Sequence, residues 1–373
     1  MKKREKVVFF ITGLGAGGAE NQLYRIINNL DKEKFEPIVI SLIDKGVVGE
    51  KFIKDNIKFY ELNINTKGKI KSIVSFYNIL KYEKPKILVC FLYHAIILGR
   101  IIGKFAKVPY IVSSIRNINS GGKIRDLLMR FTDSLSIITT TNSFASAKII
   151  CEEKIVPEKK MVVITNGIDV NNFKPNNKIK NKLKKDYKIS EEEFLWVAVG
   201  RLEEQKNYKL MINAFAEVSK YRKVKLLILG KGKLRSEYEE LINNLELDDK
   251  IKLIGVRKDI QEFLNIADGF VMSSAWEGMP NVIMEAQALG KIIVATKVGG
   301  VAELVINNET GFLVENNDLE GLIKKIIYVI DLNEEKKDEI SKNARRHIVD
   351  NYSIACICRK WEELFLSLIN DNR

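Results

Sequence analysis

The stretch Val271 to Leu304, VMSSAWEGMPNVIMEAQALGKIIVATKVGGVAEL, decides the fold. The apolar run Phe270 to Ser274 predicts a buried strand. A loop holding Trp276 and Glu277 follows, then a helix with Pro280 at its first position and Gly290 just past its end, the usual punctuation of a helix. Ile292 to Thr296 predicts the next strand. Strand, helix and strand in this order make one crossover unit of a parallel sheet. Its loop lies at the carboxyl end of a strand, where open α/β sheets bind ligands.

Two carboxylates give the unit chemistry. Glu277 precedes the helix, close to the amide N–H groups of Asn281 and Val282, a place suited to a ligand that carries hydroxyls and phosphate together. Glu285 sits mid-helix between the apolar neighbours Val282 and Leu289, at the margin of a buried face. Read alone, each has a plainer explanation: a carboxylate favoured by the helix dipole, and a surface glutamate.

EGMPNVIME resembles the E-x7-E signature of the retaining glycosyltransferases of family four, and EAQALGKIIVATKVGGVAEL is similar to that family's continuation. The resemblance implies the GT-B architecture, two Rossmann-like, doubly wound parallel-sheet domains facing across a cleft. It also implies that Glu277 contacts hydroxyls of a donor sugar and Glu285 the ribose of its nucleotide. Gly278, Met279, Pro280, Asn281 and Val282 would offer backbone amides to sugar and phosphate.

Composition agrees with a large α/β enzyme. A chain of 373 residues is long enough for two cores, and a hydrophobic fraction of 46% is that of a globular protein. No apolar run is long enough to span a bilayer. The basic start Met1-Lys-Lys-Arg and the apolar Val7 to Thr12 imitate a secretory signal. The apolar run is too short, however, and a glycine loop follows, so Val7 to Thr12 reads as a first strand. Of the four cysteines, Cys90 and Cys151 stand alone, and Cys356 and Cys358 point in different directions on a predicted helix. A cytoplasmic setting is the simplest reading.

The net charge of +13 concentrates in the first half, from Lys67 through Lys71, Lys81 and Lys86 to Arg125 and Arg130. No helix-turn-helix, zinc finger or aromatic RNA-binding strand accompanies it, so nucleic acid is not expected as a partner. Ile70 to Leu80 and Ile124 to Phe131 mix basic and apolar residues at helical spacing. That suits peripheral contact with an anionic membrane, here the inner face of the cell membrane. The alternative is a solvated lysine-rich face.

In chain order, Gly13-Leu-Gly-Ala-Gly-Gly-Ala-Glu20 turns the first strand into a helix. Gly13, Gly15 and Gly18 satisfy the dinucleotide pattern G-x-G-x-x-G, with Asp44 in reach as a ribose acid. The longer string GLGAGGAENQL resembles instead the family's amino-terminal glycine loop, and implies donor contacts at Gly15, Gly17 and Gly18. Glycine suits either ligand, because a main chain without Cβ approaches phosphate closely. Further strands are expected at Pro37 to Ile43, Ile57 to Leu62, Ile87 to Tyr93, Tyr110 to Ile115, Leu135 to Thr139 and Val162 to Thr165, alternating with helices. His94 is expected to end one of them. Family members often keep a histidine there facing the donor sugar, which implies a catalytic role. His347 lies in a charged helix and is expected to be exposed. Arg116 to Gly122 reads as a polar loop in which Arg116 and Lys123 could meet an acceptor's phosphate.

Ile164 to Pro175 resembles the family's interdomain NGID segment, and Asn176 to Ser190 reads as a connector. The expected organisation is an acceptor-side domain over 1–175, a linker over 176–190, a nucleotide-sugar domain over 191–352 and a terminal helix, 353–373, returning to the first domain. Phe194 to Val199 leads into Gly200-Arg201-Leu-Glu-Glu-Gln-Lys206-Asn207, similar to the family's GRL…KN motif, in which arginine and lysine grip the diphosphate. Two fixed cations there stabilise the charge that gathers on a departing diphosphate. The plainer alternative is a surface pair of Arg201 with Glu203 or Glu204. Val256, after the strand Ile251 to Ile254, is where the family binds the base.

The expected reaction is retaining transfer of a hexosyl or N-acetylhexosaminyl group from a nucleotide diphosphate sugar, UDP favoured, to a hydroxyl of a glycan or polyprenyl-linked acceptor, as in bacterial surface polysaccharide synthesis. The nucleotide sugar is a co-substrate, and no other cofactor is expected. With no Asp-x-Asp triplet, Arg201 and Lys206 are expected to stand in for a metal. The competing readings are a nicotinamide-dependent oxidoreductase using Gly13 to Gly18, a nucleotide-sugar epimerase or glycan phosphorylase of the same architecture, and a non-catalytic sugar-nucleotide binder.

Overall fold

The computed structural model describes residues 4–116, 121–173 and 180–370. The chain forms two units, Met1–Gly167 with Ile354–Arg373, and Ile168–Ser353.

In the first unit the strands are β1 (Glu5–Ile11), β2 (Phe35–Ser41), β3 (Lys58–Glu61), β4 (Ile87–Phe91), β5 (Tyr110–Ile115), β6 (Ile138–Thr141) and β7 (Met161–Val163). They build a sheet in the order β3-β2-β1-β4-β5-β6-β7. Every pairing is parallel, with Phe9 opposite Val39 on one side and Val89 on the other. The unbroken apolar run of β1 follows from burial on both faces. Val7, Phe9 and Ile11 enter one core, and Val8 and Phe10 the other. The terminal helix Ile354–Asn370 belongs to this unit and covers the first of those cores. Its Phe365 meets Phe9 edge-on at 6.1 Å, and Trp361 lies 6.1 Å from Phe91.

The second unit repeats the plan with β8 (Phe194–Val199), β9 (Val224–Leu229), β10 (Ile251–Gly255), β11 (Gly269–Met272), β12 (Ile292–Thr296) and β13 (Phe312–Val314). The order is β10-β9-β8-β11-β12-β13, again all parallel. In each sheet the strand order reverses beside the first strand, between β1 and β4 and between β8 and β11. Those switch points are where doubly wound sheets open a crevice at their carboxyl ends.

The structure differs from several sequence-based expectations. The stretch expected as a connector, 176–190, overlaps the helix Lys180–Asp186, and Leu183 and Ile189 are buried in a core of the second unit. Leu183 docks the short helix, and Ile189 fixes the turn after it. Residues 176–179 lie outside the described residues. The strand expected from Leu135 begins at Ile138, because Asp133–Leu135 makes a 3₁₀ turn held from Lys160 Nζ, 2.8 Å from the Asp133 carbonyl. His347 is half-buried against the Tyr352 ring rather than exposed.

Arg116 is also a correction. It follows β5 directly and is buried, with its guanidinium 5.1 Å from the Phe91 ring and 5.7 Å from that of Trp361. Its Nε donates to Ser114 Oγ at 2.9 Å and its Nη1 to the Ile164 carbonyl at 3.3 Å. Burial pushes its pKa down to about 9. The side chain thus ties the terminal helix to the sheet, because a planar cation stacks on aromatic faces. Asn117 to Ser120, within that expected loop, lie outside the described residues.

At the other end of the first sheet, the helix Lys69–Glu83 ends on a buried carboxylate. Lys6 Nζ lies 2.9 Å from Glu83 Oε2, Lys58 Nζ 2.6 Å from Oε1, and the Tyr60 hydroxyl donates to Oε1. Burial alone would raise the Glu83 pKa, but the bonds from Lys58, Tyr60 and Lys6 outweigh it and bring it down to about 2. A carboxylate with a depressed pKa contributes stability above its unfolded pKa and loses it as the pH falls through the folded value. A Glu83→Gln variant is therefore expected to melt several degrees below the wild type at neutral pH. Thermal melts should show that gap closing as the pH is lowered from 4.5 toward about 2.

Candidate functional site

The site in the second unit grows from the pairing of β8 with β11, which sets Trp196 beside Gly269 and Val197 beside Phe270. Loops leaving the carboxyl ends of these neighbours emerge side by side. The β8 loop carries Gly200, Arg201 and Lys206, and the β11 loop carries Ser273, Ser274, Trp276 and Glu277.

Lys206 Nζ lies 2.5 Å from Glu277 Oε1, with both side chains largely buried. Ser274 Oγ donates to the same oxygen at 2.7 Å, and Ser273 Oγ donates to the Lys206 carbonyl at 2.9 Å. Ala275 N donates to the Gln205 carbonyl at 2.8 Å, and Gln205 Nε2 to the Trp276 carbonyl at 3.0 Å. The two loops are thus stitched together by backbone and side chain. Tyr208, buried next to them, has its phenol pKa raised, first by burial and then by the Glu277 charge.

Glycines make this approach possible. A Cβ on Gly200 would sit 2.8 Å from Lys206 Cε and 2.9 Å from the Tyr208 hydroxyl, so a larger residue would shift the lysine stem from the end of β8. Gly299 has a φ of +49° and packs on the Glu277 carbonyl, where a Cβ would overlap. Gly300 N donates to the Gly278 carbonyl at 2.7 Å.

Arg201 behaves differently from Lys206. It is exposed, Nη1 lies 3.0 Å from Glu203 Oε2, and Nη2 donates to Gln205 Oε1 at 3.2 Å. The plainer surface pairing is therefore present, while Gln205 links the guanidinium to the Glu277 loop. The helix is Asn281–Ala288, with Pro280 immediately before it rather than at its first position. Gly278, Asn281, Val282 and Glu285 are half-buried, and Met279 and Pro280 are buried. Val256 is exposed after Gly255, whose φ is +84°. Ser274, Gln205 and Tyr208 carry no sequence pattern of their own. Only Gly299, in a Gly-Gly pair after a strand, offered a hint of a left-handed turn.

In the first unit β1 and β4 stand in the same relation. The β1 loop holds Gly15 and Gly17, and the helix Gly18–Asn29 starts at Gly18. His94 is not on a strand. β4 ends at Phe91, Leu92 takes a φ of +70°, and His94 lies exposed in the first turn of the helix Tyr93–Phe105. Ala95 N donates to Thr12 Oγ1 at 3.3 Å, which joins this turn to the glycine loop. Partial desolvation by its neighbours, then the charge of Arg125, lowers the His94 pKa.

Two doubly wound parallel sheets, each with a loop site at its switch point, are the two halves of the GT-B architecture. Residues 16–172 match the Glycosyltransferase Family 4 model and residues 179–347 the model of glycosyl transferases group 1. The chain is 30% identical over 322 residues to the Escherichia coli UDP-Gal:alpha-D-GlcNAc-diphosphoundecaprenol alpha-1,3-galactosyltransferase, covering 82% of each chain. It is 26% identical to the Campylobacter jejuni N-acetylgalactosamine-N,N'-diacetylbacillosaminyl-diphospho-undecaprenol 4-alpha-N-acetylgalactosaminyltransferase, over 85% of this chain and 89% of that one. Anabaena HepE, solved with UDP, shares the fold with a TM-score of 0.86 at 22% identity, over 97% of this chain and 100% of that one. The chain belongs to the family-four, group 1 glycosyltransferases. The nicotinamide reading of Gly13 to Gly18 finds no support among these relatives.

The packing of Gly299 on Glu277 makes a local prediction. A Gly299→Ala variant must move the Glu277 carbonyl and adopt a strained φ, at a cost of about 1–3 kcal/mol. The expected result is a lowered melting temperature, read by calorimetry.

Proposed function

We propose that the protein moves a hexosyl or N-acetylhexosaminyl group from a UDP-sugar to a hydroxyl of a polyprenyl-linked glycan, with retention at the anomeric carbon. The observation that carries this reading is the joined pair of loops presenting Lys206, Glu277 and, through Gln205, Arg201. Support for the donor and acceptor comes from the relatives, whose names specify UDP-galactose and diphosphoundecaprenol-linked acceptors.

In this reading the diphosphate lies over the β8 loop. An ammonium has three N–H donors, and the bond to Glu277 uses one. Lys206 thereby holds Glu277 in place and still meets a phosphate oxygen. Arg201 turns from Glu203 to fork two oxygens, which costs little because an exposed ion pair is weak. As the glycosidic C–O bond breaks, negative charge gathers on the leaving diphosphate, and both cations stabilise it more than they stabilise the ground state.

Glu277, anchored through Oε1, directs its other oxygen at sugar hydroxyls, and the amides of Gly278 to Val282 face sugar and phosphate. Glu285 takes the ribose and Val256 the base. In the first unit, Gly15, Gly17 and Gly18 are the candidates for close backbone contacts, and His94 is the candidate hydrogen-bonding group. The acceptor proton goes to the departing phosphate oxygen. Among the described residues no helix is long and apolar enough to cross a membrane. We place the enzyme in the cytoplasm, peripheral to the inner membrane face.

A thermal-shift screen of UDP-, GDP- and ADP-sugars tests the donor. Saturating UDP-sugar is expected to raise the melting temperature selectively, and a response to GDP- or ADP-sugars alone would reassign it. Because Arg201 is exposed, Arg201→Ala should fold normally and lose about 10²-fold in kcat. Proton NMR of the first product should show the donor's anomeric configuration, and inversion would overturn the retaining assignment. His94→Ala should fold and lose turnover. Near-normal kcat in that variant removes His94 from the chemistry.

A further inference from the structure

Helix Lys123–Thr132 exposes the face that an amphipathic helix normally buries. Ile124, Leu127, Leu128 and Phe131, spaced i, i+3, i+4 and i+7, are 77%, 48%, 44% and 73% exposed. Met129 is the one buried side chain of the helix. The helix is fixed from beneath by polar bonds: Arg100 Nη1 donates to the Met129 carbonyl at 2.8 Å and to Thr132 Oγ1 at 3.0 Å, and Arg130 Nη2 donates to the Glu153 carbonyl at 2.6 Å. Single exposed apolar residues are ordinary, but four in one stripe on a pinned helix are a surface made for contact.

The charges show what it contacts. At about 100° per residue, the four apolar positions fill an arc of about 100°. Lys123 and Arg130 border that arc on one side and Arg125 on the other, while Met129 and the helix's one acid, Asp126, lie opposite. An apolar stripe with cations along both margins matches the plane between headgroups and acyl chains of an anionic bilayer. A second copy of the chain packed stripe to stripe would set cations against cations. Ten residues span about 15 Å, too short to cross a bilayer and long enough to lie along its surface.

We propose that the 123–132 helix docks the protein on anionic phospholipid, with Ile124, Leu127, Leu128 and Phe131 in the acyl boundary and Lys123 and Arg125 at the phosphates. The place in the fold suits a lipid-linked acceptor, and in that respect the inference rests on the proposed function. The Arg125 guanidinium lies 5.0 Å over the Tyr93 ring, which meets His94 edge-on at 5.2 Å. Docking therefore brings the carboxyl ends of β4 and β5 to the surface on which such an acceptor is held.

Flotation of the full chain with vesicles, in the absence of donor and acceptor, tests the docking separately from the catalytic reading. The wild type should float with phosphatidylcholine–phosphatidylglycerol vesicles and not with phosphatidylcholine alone. Leu128→Gln combined with Phe131→Gln should lower partitioning by about tenfold or more while keeping the wild-type UDP-sugar thermal shift. If the wild type stays in solution, or the double variant floats equally well, the assignment fails. It also fails if the wild type is a dimer in light scattering that the double variant dissolves, since the stripe is then a face between copies. A protein that binds vesicles yet shows no UDP-sugar response would leave the docking helix standing and remove the donor assignment.

Discussion

The second unit depends on one contact, the buried ion pair between Lys206 and Glu277. Withdrawing two charges from water costs several kcal/mol per ion before their attraction is counted, and an apolar pair of similar volume often does as well for stability. Such a pair is understood better by what it positions than by what it stabilises. Here it draws a cation to the end of β8 and an anion to the end of β11, and Ser274 fixes the carboxylate from its own loop. The pair is balanced without ligand, so the site need not expose an uncompensated charge while it waits for one.

The contact exists because β8 and β11 are neighbours at the point where the strand order reverses. Between strands joined by a helix the chain crosses one face of the sheet and leaves no gap at its edge. At a reversal the two connections go to opposite faces, and the loops part enough to admit a ligand. The glycines then decide how close those loops come. Gly230 and Gly232 pack on the carbonyls of Gly200 and Leu202 just as Gly299 packs on that of Glu277, and a Cβ at any of them would overlap the facing backbone. The first unit has the same logic at β1 and β4, where Thr12 and Ala95 join the glycine loop to the turn that carries His94.

The corrections share one cause. His94, Arg116 and the 176–190 stretch were each assigned from a local string. The chain leaves β4 two residues earlier than its apolar pattern suggests, through a left-handed Leu92, and no periodicity reports a single strained residue. Arg116 looks like a loop cation until two rings, one from the far end of the chain, close on it. Leu183 and Ile189 look isolated among lysines until a core receives them.

What the sequence by itself determined was the alternation of doubly buried strands with helices, and the residue types at their carboxyl ends. Burial on both faces leaves a continuous apolar run, and a backbone that turns tightly or meets another backbone leaves glycine. Those are local demands, so they are written locally, and the position of Gly200, Lys206, Glu277 and the 13–18 loop after strands was legible. Tertiary structure alone decided which ends meet. The partnership of Lys206 with Glu277, the bridge through Gln205, the support from Gly299 and the outward turn of the 123–132 helix all follow from strand order and from which face a core has already covered. A one-dimensional pattern holds neither quantity, because residues 71 apart come into contact only when the sheet is assembled.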